Sequence, residues 1–196
     1  MKADCARCRD KECQDGKDCY DLARTVRDEY SDGELASMRV SGEIEAEHYM
    51  KLTRIEELAL YASMMGMKKV GVAFCVGLSN EARVVADVLE SKGLEVHSVC
   101  CKVCGIDKDD VGVVKMHGDG KEAVCNPIGQ ASSLERCGTE LNVIVGLCVG
   151  HDILFTERSR APVSTLIVKD RVLAHNPVGA VYSAYYKETR FGLKPE

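Results

Sequence analysis

The chain has 196 residues, of which 45% are hydrophobic and 29% charged, and a net charge of −5. That length can bury one good core with a small appendage, and the balance is that of a folded soluble chain. No apolar run approaches the roughly 18 residues that span a bilayer, and the acidic balance, with no basic block, argues against a nucleic-acid partner. The opening Met1-Lys2-Ala3-Asp4-Cys5 is charged and has no apolar h-region. No signal peptide and a cytoplasmic location are therefore expected.

In chain order, residues 1–19 are polar and dense in cysteine. Such a segment has no core of its own and would need a metal to order it. Residues 20–66 read as a helical lead-in, with an apolar stripe at Tyr20, Leu22, Ala23, Val26 and Tyr30. Residues 31–48 are polar and ambiguous between the helical stretches. Thr53-Arg54-Ile55-Glu56 is a capping box that opens a further helix, with Gly66 as its stop.

An α/β pattern begins near residue 69 and fills 67–196. Val70–Phe74 is a short apolar run, as expected of a strand covered on both faces. Ser79 can cap a helix that runs to Gly93. Leu94–Val99 is the next strand, so the three pieces make a βαβ unit. A loop covers 101–124. Asn126-Pro127 then starts a helix, with Asn as the cap and Pro in the first turn. Val143–Leu147 and Val163–Val168 are the third and fourth strands, with a short helix over His151–Glu157 between them. Asp170-Arg171 reads as a turn into Val172-Leu173-Ala174, a short hairpin partner, and Asn176-Pro177 starts a last helix. The expected architecture is α/β: a Rossmann-like parallel sheet with a helical N-terminal lead-in and a small four-cysteine metal knuckle.

Eleven cysteines are the compositional outlier. In a reducing compartment, so many thiols point to metal binding or catalysis rather than disulfides. Cys5, Cys8, Cys13 and Cys19 lie within 15 residues, enough ligands for a closed tetrahedral zinc site or a [4Fe–4S] cluster. The second set is Cys75, Cys100, Cys101, Cys125 and Cys148, with Cys104 beside it. Cys-Val-Gly occurs twice, at Cys75-Val76-Gly77 and Cys148-Val149-Gly150, each time after a strand. Ligands of open α/β sheets bind outside the carboxyl ends of the strands. Cys75, Cys148 and one of Cys100 and Cys101 would therefore meet at that edge, since side chains alternate along a strand.

Cys125 directly precedes a helix start, where the dipole lowers a thiol pKa. It is a candidate ligand or nucleophile, and His151 a candidate ligand or proton donor. Cys125 with His151 or His175 would make a metal-free nucleophilic pair. Gly77, Ser79 and Gly150 stand at strand-to-helix turns that could cradle an anion or cofactor, without the spacing of a dinucleotide fingerprint.

These motifs resemble those of a family of uncharacterised, cysteine-rich metal-binding proteins, a domain of unknown function in archaea and anaerobic bacteria. The stretches that carry the likeness are Cys5 to Cys19, Phe74-Cys75-Val76-Gly77-Leu78, Cys100-Cys101-Lys102 and Cys125-Asn126-Pro127-Ile128-Gly129. They continue with Gly146-Leu147-Cys148-Val149-Gly150-His151-Asp152 and with Val168-Lys169-Asp170-Arg171 through His175-Asn176-Pro177. The resemblance implies metal binding and no assigned reaction. Cys104 departs from it, because glycine is commoner at that place. The expected function is that of a metal- or iron–sulfur-dependent protein, an enzyme of sulfur-group or redox transfer on a small or sulfur-containing substrate. The alternative is a non-enzymatic metal or redox sensor, or a metal carrier.

Overall fold

The computed structural model describes residues 3–194. The chain divides into two compact units between Glu43 and Ile44.

The first unit opens with two single 3-10 turns, Cys5–Arg7 and Glu12–Asp15, neither of which buries a residue. Asp18 then accepts the Ala23 N–H at 2.8 Å and caps helix α1, Ala23–Glu29. Helix α2, Asp32–His48, carries the division between the units. Its polar sequence hid it from the periodicity reading, because it shows no apolar stripe and buries only Ile44. The local signal was Ser31-x-x-Glu34. The Ser31 N–H donates to Glu34 Oε2 at 2.8 Å, and the Glu34 N–H donates to Ser31 Oγ at 3.3 Å. That reciprocal pair is a capping box.

The second unit has the expected Rossmann-like α/β fold. Helix α3, Arg54–Met64, starts at the Thr53–Glu56 capping box. Strand β1, Lys69–Phe74, and helix α4, Ser79–Ser91, follow. Next come β2, Glu95–Cys100, and α5, Pro127–Cys137. Strand β3 is Leu141–Val145, α6 is His151–Arg158, β4 is Val163–Ile167 and α7 is Val178–Tyr182. All the strand pairings are parallel, in the order β2-β1-β3-β4. Central β1 and β3 are buried almost end to end, as strands covered on both faces must be. Helices α4 and α5 both pack on β1 and β2, and Phe155 of α6, Leu134 of α5 and Leu89 of α4 are fully buried in the core.

The chain leaves β1 toward β2 and β3 toward β4, in opposite directions. The topological switch point therefore lies between β1 and β3, where doubly wound sheets open their ligand crevice.

Two local expectations change. Strand β3 ends at Val145, two residues early, because Gly146 turns to φ +67°, a conformation open to glycine at little cost. A Cβ there would stand 2.6 Å from Leu78 Cδ2, so that glycine is also required by packing. Val172-Leu173-Ala174 forms no strand: the N–H groups of Val172 and Leu173 both donate to Asp170 Oδ1, at 2.9 and 2.8 Å, and close a tight turn instead.

The loop over 101–124 is tied by charge rather than by apolar burial. Lys108 is 7% exposed and pairs with Glu122, whose other oxygen accepts the N–H groups of Met116 and His117. The Lys108 ammonium foremost, and then the Met116 amide, hold the Glu122 carboxyl down to about 2. A depressed carboxyl contributes stability above its ordinary range, near 4.3, and loses that contribution as pH falls toward the folded value. We expect the amides of Met116 and His117 to exchange slowly at pH 7. Their protection relative to the intrinsic exchange rate at each pH should fall in Glu122→Gln, and in the wild type as pH drops from about 4 to 2. Unchanged exchange in Glu122→Gln would show that the loop is held by something else.

Candidate thiolate site

Strand pairing carries two cysteines to the carboxyl edge. The Cys101 N–H donates to Phe74 O at 2.8 Å, and the Cys75 N–H donates to Val145 O at 3.2 Å. Each ladder thus runs one residue past its strand. The two cysteines lie side by side at the ends of β1 and β2, because Phe74 is in register with Cys100. Cys101 is 3% exposed, and its sulfur accepts the Val76 N–H at 3.3 Å. Alternation along the strand therefore turns Cys101, not Cys100, toward the edge. Cys100 packs half-buried beside the core.

Cys125 arrives by a backbone clasp. The Asn126 N–H donates to Cys101 O at 2.8 Å, while Asn126 Oδ1 caps α5 by accepting the Gly129 N–H at 2.8 Å. One asparagine thus starts the helix and ties the Cys125 segment to the end of β2, where the Cys125 and Cys101 thiols shift each other's ionisation. Cys148 lies three residues beyond β3 rather than directly at its end. Its carbonyl accepts the His151 and Asp152 N–H groups as α6 begins. The two Cys-Val-Gly turns flank the switch point but are not equivalent corners.

Three cationic residues reach these thiols. Lys169 and Arg171 follow β4. Lys169 Nζ donates to Cys75 Sγ at 3.2 Å, and Arg171 Nη2 donates to Cys148 Sγ at 2.9 Å. The Arg171 guanidinium is held protonated by Cys148 foremost, and also by Cys75 and Cys125. Lys102 donates to Ala123 O at 2.6 Å and reaches Cys125. Sequence reasoning passed over Lys102, Lys169 and Arg171. The rule that selected the cysteines would have found them, since each follows the end of a parallel strand.

These contacts split the two facing thiols. The Cys125 pKa falls to about 5. The shared Cys101 proton does most of this, helped by the charge and hydrogen bond of Lys102 and the field of His151, while burial opposes it. The Cys101 thiol is pushed far up, first by that same proton and then by burial. The two thiols are thus pushed in opposite directions, Cys125 toward ionisation and Cys101 toward keeping its proton. The thiolate is the nucleophilic form of cysteine.

The remaining candidates have local places. Ser79 Oγ donates to Val76 O at 2.6 Å at the start of α4. Gly150, at φ +89°, gives its N–H to Asp152 Oδ1 at 3.0 Å, so the first turn of α6 is capped by its own side chain. A Cβ on Gly77 would stand 3.6 Å from Lys169 Nζ and 4.0 Å from Cys75 Sγ. His175 Nδ1 accepts the Asp170 N–H at 3.1 Å. Cys104 takes φ +72°, a conformation that favours glycine.

In the first unit, Cys5, Cys8, Cys13 and Cys19 are all exposed. Cys5 Sγ is 3.1 Å from the Tyr20 hydroxyl. The Cys8 thiol is pulled below its usual range by the N–H groups of Lys11 and then Asp10. Among the described residues, no three Cys, His, Asp or Glu side chains stand as a donor set for a metal ion. As placed, neither group of cysteines fits an ion.

Residues 14–166 match the family described as "Protein of unknown function (DUF1847)". The chain belongs to the DUF1847 family. The matched span holds β1, β2, β3 and all but the last residue of β4, with Cys75, Cys101, Cys125 and Cys148. The chain is also similar to the uncharacterised protein MJ0455 of the archaeon Methanocaldococcus jannaschii. The two are 54% identical over 184 residues, covering 93% of this chain and 95% of that protein. No solved structure matches. Among the described residues, no helix is long and apolar enough to cross a membrane.

Proposed function

We propose that this DUF1847 protein performs thiolate chemistry, a sulfur-group or redox transfer on a small sulfur-containing substrate at the carboxyl edge of its sheet. Cys125 is the attacking thiolate, Cys101 the resolving thiol, and His151 the group placed to take or give a proton. The observation that carries this reading is geometric: the Asn126 clasp brings Cys125, at a helix start, to Cys101 at the end of β2, with Lys169 on Cys75 and Arg171 on Cys148 beside them, and the Cys125 thiol is pulled down while Cys101 is pushed up. The reducing cytoplasm, with neither membrane nor nucleic acid as partner, suits so many free thiols.

With a disulfide substrate the steps balance. Cys125 S⁻ attacks one sulfur of R–S–S–R′; the Cys125–S–R bond forms and R′–S⁻ leaves. Cys101 passes its proton to R′–S⁻ and attacks Cys125 Sγ, which releases R–S⁻. The protein ends with a Cys101–Cys125 disulfide, two electrons poorer, and the substrate two electrons richer.

A model aromatic disulfide tests this. Peptide mapping of the wild type should find the Cys101–Cys125 disulfide, and Cys101→Ser should trap the mixed disulfide on Cys125. Labelling spread evenly over the cysteines, or a trapped adduct elsewhere, would refute the assignment.

One observation supports a second reading. Arg171 feels Cys148, Cys75 and Cys125 together, and Cys101 feels Cys125 and Cys75. Four thiols from four segments match the donor number of zinc or a [4Fe–4S] cluster, provided the sulfurs draw together on loading. Cys5, Cys8, Cys13 and Cys19 would then form a second, closed site. The protein would be a metal-dependent enzyme, or a metal or redox sensor or carrier. Elemental analysis and an absorption spectrum of anaerobically purified protein decide. Stoichiometric metal lost in Cys148→Ser supports this reading, and metal-free protein with full Cys125 reactivity eliminates it.

A further inference from the structure

We infer that the electrophile accepted at this edge is a small oxoanion carrying its own transferable sulfur, a sulfane-sulfur anion of the thiosulfate type, held by Lys102, Lys169 and Arg171 beside Cys125. The inference rests on the thiolate reading above and names its substrate class.

Some cations of this chain, Lys17, Lys69, Lys108 and Lys115 among them, are neutralised by a carboxylate. Among the described residues, Lys102, Lys169 and Arg171 pair with none. Two acids of the neighbouring turns, Asp170 between Lys169 and Arg171 and Asp152 at the start of α6, are spent on backbone. Asp152 accepts from the Gly150 and Ile153 amides, and Asp170 accepts from those of Val172 and Leu173. At this edge, where this sheet type binds ligands, Lys169 and Arg171 therefore meet sulfur and Lys102 a backbone carbonyl, with no carboxylate among their partners.

The cations are also held in place. Lys169 and Arg171 flank Asp170, and the turn behind them is closed by the His175 N–H to Asp170 O bond at 2.9 Å and by the Asp170 N–H to His175 Nδ1 bond at 3.1 Å. Ala174 and His175 sit at φ +48° and +61° to allow this. Non-glycine residues persist there only where the surroundings over-determine them. Gly77 leaves the approach to Lys169 and Cys75 free of a side chain. A planar guanidinium fork and ammonium groups at one sheet edge suit an oxoanion's several oxygens.

The chemistry needs no added oxidant. Cys125 S⁻ attacks the outer sulfur of thiosulfate, and a Cys125–S bond forms. The bond from that sulfur to the sulfonate sulfur breaks, and sulfite departs with the electron pair. Thiolate and thiosulfate dianion become persulfide anion and sulfite dianion, with charge conserved. Arg171 lies within the field of Cys125 and is placed to stabilise the leaving sulfite.

The test uses the full chain, with thiosulfate as the probe. Mass mapping should find one added sulfur atom on Cys125, or the Cys101–Cys125 disulfide formed when Cys101 displaces that sulfur as hydrosulfide, with an equal amount of sulfite in solution. Sulfate should slow the reaction more than sodium chloride of the same ionic strength. Arg171→Gln should slow persulfide formation roughly tenfold, and Arg171→Lys should recover part of that loss. A wild type that reacts at Cys125 with the neutral disulfide but releases no sulfite from thiosulfate overturns this inference and leaves the thiolate reading intact. A Cys125 inert to both overturns both. Equal inhibition by sulfate and chloride would mean that the cations serve the thiolates alone and would also overturn it.

Discussion

At pH 6, Cys125 should react with iodoacetamide about five- to tenfold faster than a free cysteine peptide, with half-maximal rate near pH 5. The magnitude comes from two opposing effects. A free thiol, with a pKa of about 8.5, is roughly 0.3% ionised at pH 6, whereas Cys125 is mostly ionised, an advantage of about 300-fold. A less basic thiolate is a poorer nucleophile, and a Brønsted slope of about 0.4–0.5 over that gap returns roughly 25- to 55-fold. Ionisation wins. The sign is that of a depressed acid: reactivity is lost as pH falls through 5 and flat above it. Cys101→Ala should move the midpoint upward, because the proton from Cys101 is the largest cause of the depression. Cys101→Ser keeps a donor and should move it less. Peptide-resolved alkylation rates from pH 4 to 9 measure all three proteins. A wild-type midpoint near 8.5 would remove the basis of the proposed function.

Gln130→Leu should cost about 1–3 kcal/mol, a fall of roughly 3–10 °C in Tm for a chain this long. Gln130 is wholly buried on α5. Its Nε2 donates to Phe74 O at 3.2 Å and to Val99 O at 2.8 Å. It clamps β1 to β2 immediately before Cys75 and Cys101. Losing the amide removes both bonds, though Phe74 O keeps the Cys101 N–H. Some of the cost is returned, because Gln130 Oε1 is buried without a partner among the described residues. Gln130→Glu should be worse than leucine despite its closer shape, since an ionised carboxylate cannot donate and would face two carbonyl oxygens out of reach of water. Thermal unfolding of the three proteins orders them. A glutamate variant more stable than the leucine variant would mean that shape, not donation, is what Gln130 supplies. Either variant should also raise the Cys125 midpoint, because the Cys101 segment is no longer pinned.

The sheet was legible in the sequence because its signals are local. Val70–Phe74, Leu94–Val99 and the apolar runs near 143 and 163 are short, capped by turns, and alternate with helical stretches. The parallel topology follows from that alternation, and it sends Cys75, Cys101 and Cys148 to one edge. Errors came where local signals conflict. The polar composition of α2 outweighed its Ser31–Glu34 box in the reading, and Gly146 ended β3 by its backbone conformation rather than by its hydropathy.

The site itself was only half legible. Residue order alone marked Cys125 as a helix-start thiol. That it faces Cys101 depends on a hydrogen bond from Asn126 across 25 residues of chain, formed only when the loop folds back. Lys169 meets Cys75 across 94 residues, and Arg171 meets Cys148 across 23, through a turn held by Asp170 and His175. Hydrophobic periodicity and capping act within a few residues, so the sequence by itself determined the strands, the helix starts and the cysteine-bearing edge. Proton sharing and charge pairing act through space over a few ångströms, so only the tertiary structure decided which thiol is ionised, which keeps its proton, and which cations surround them.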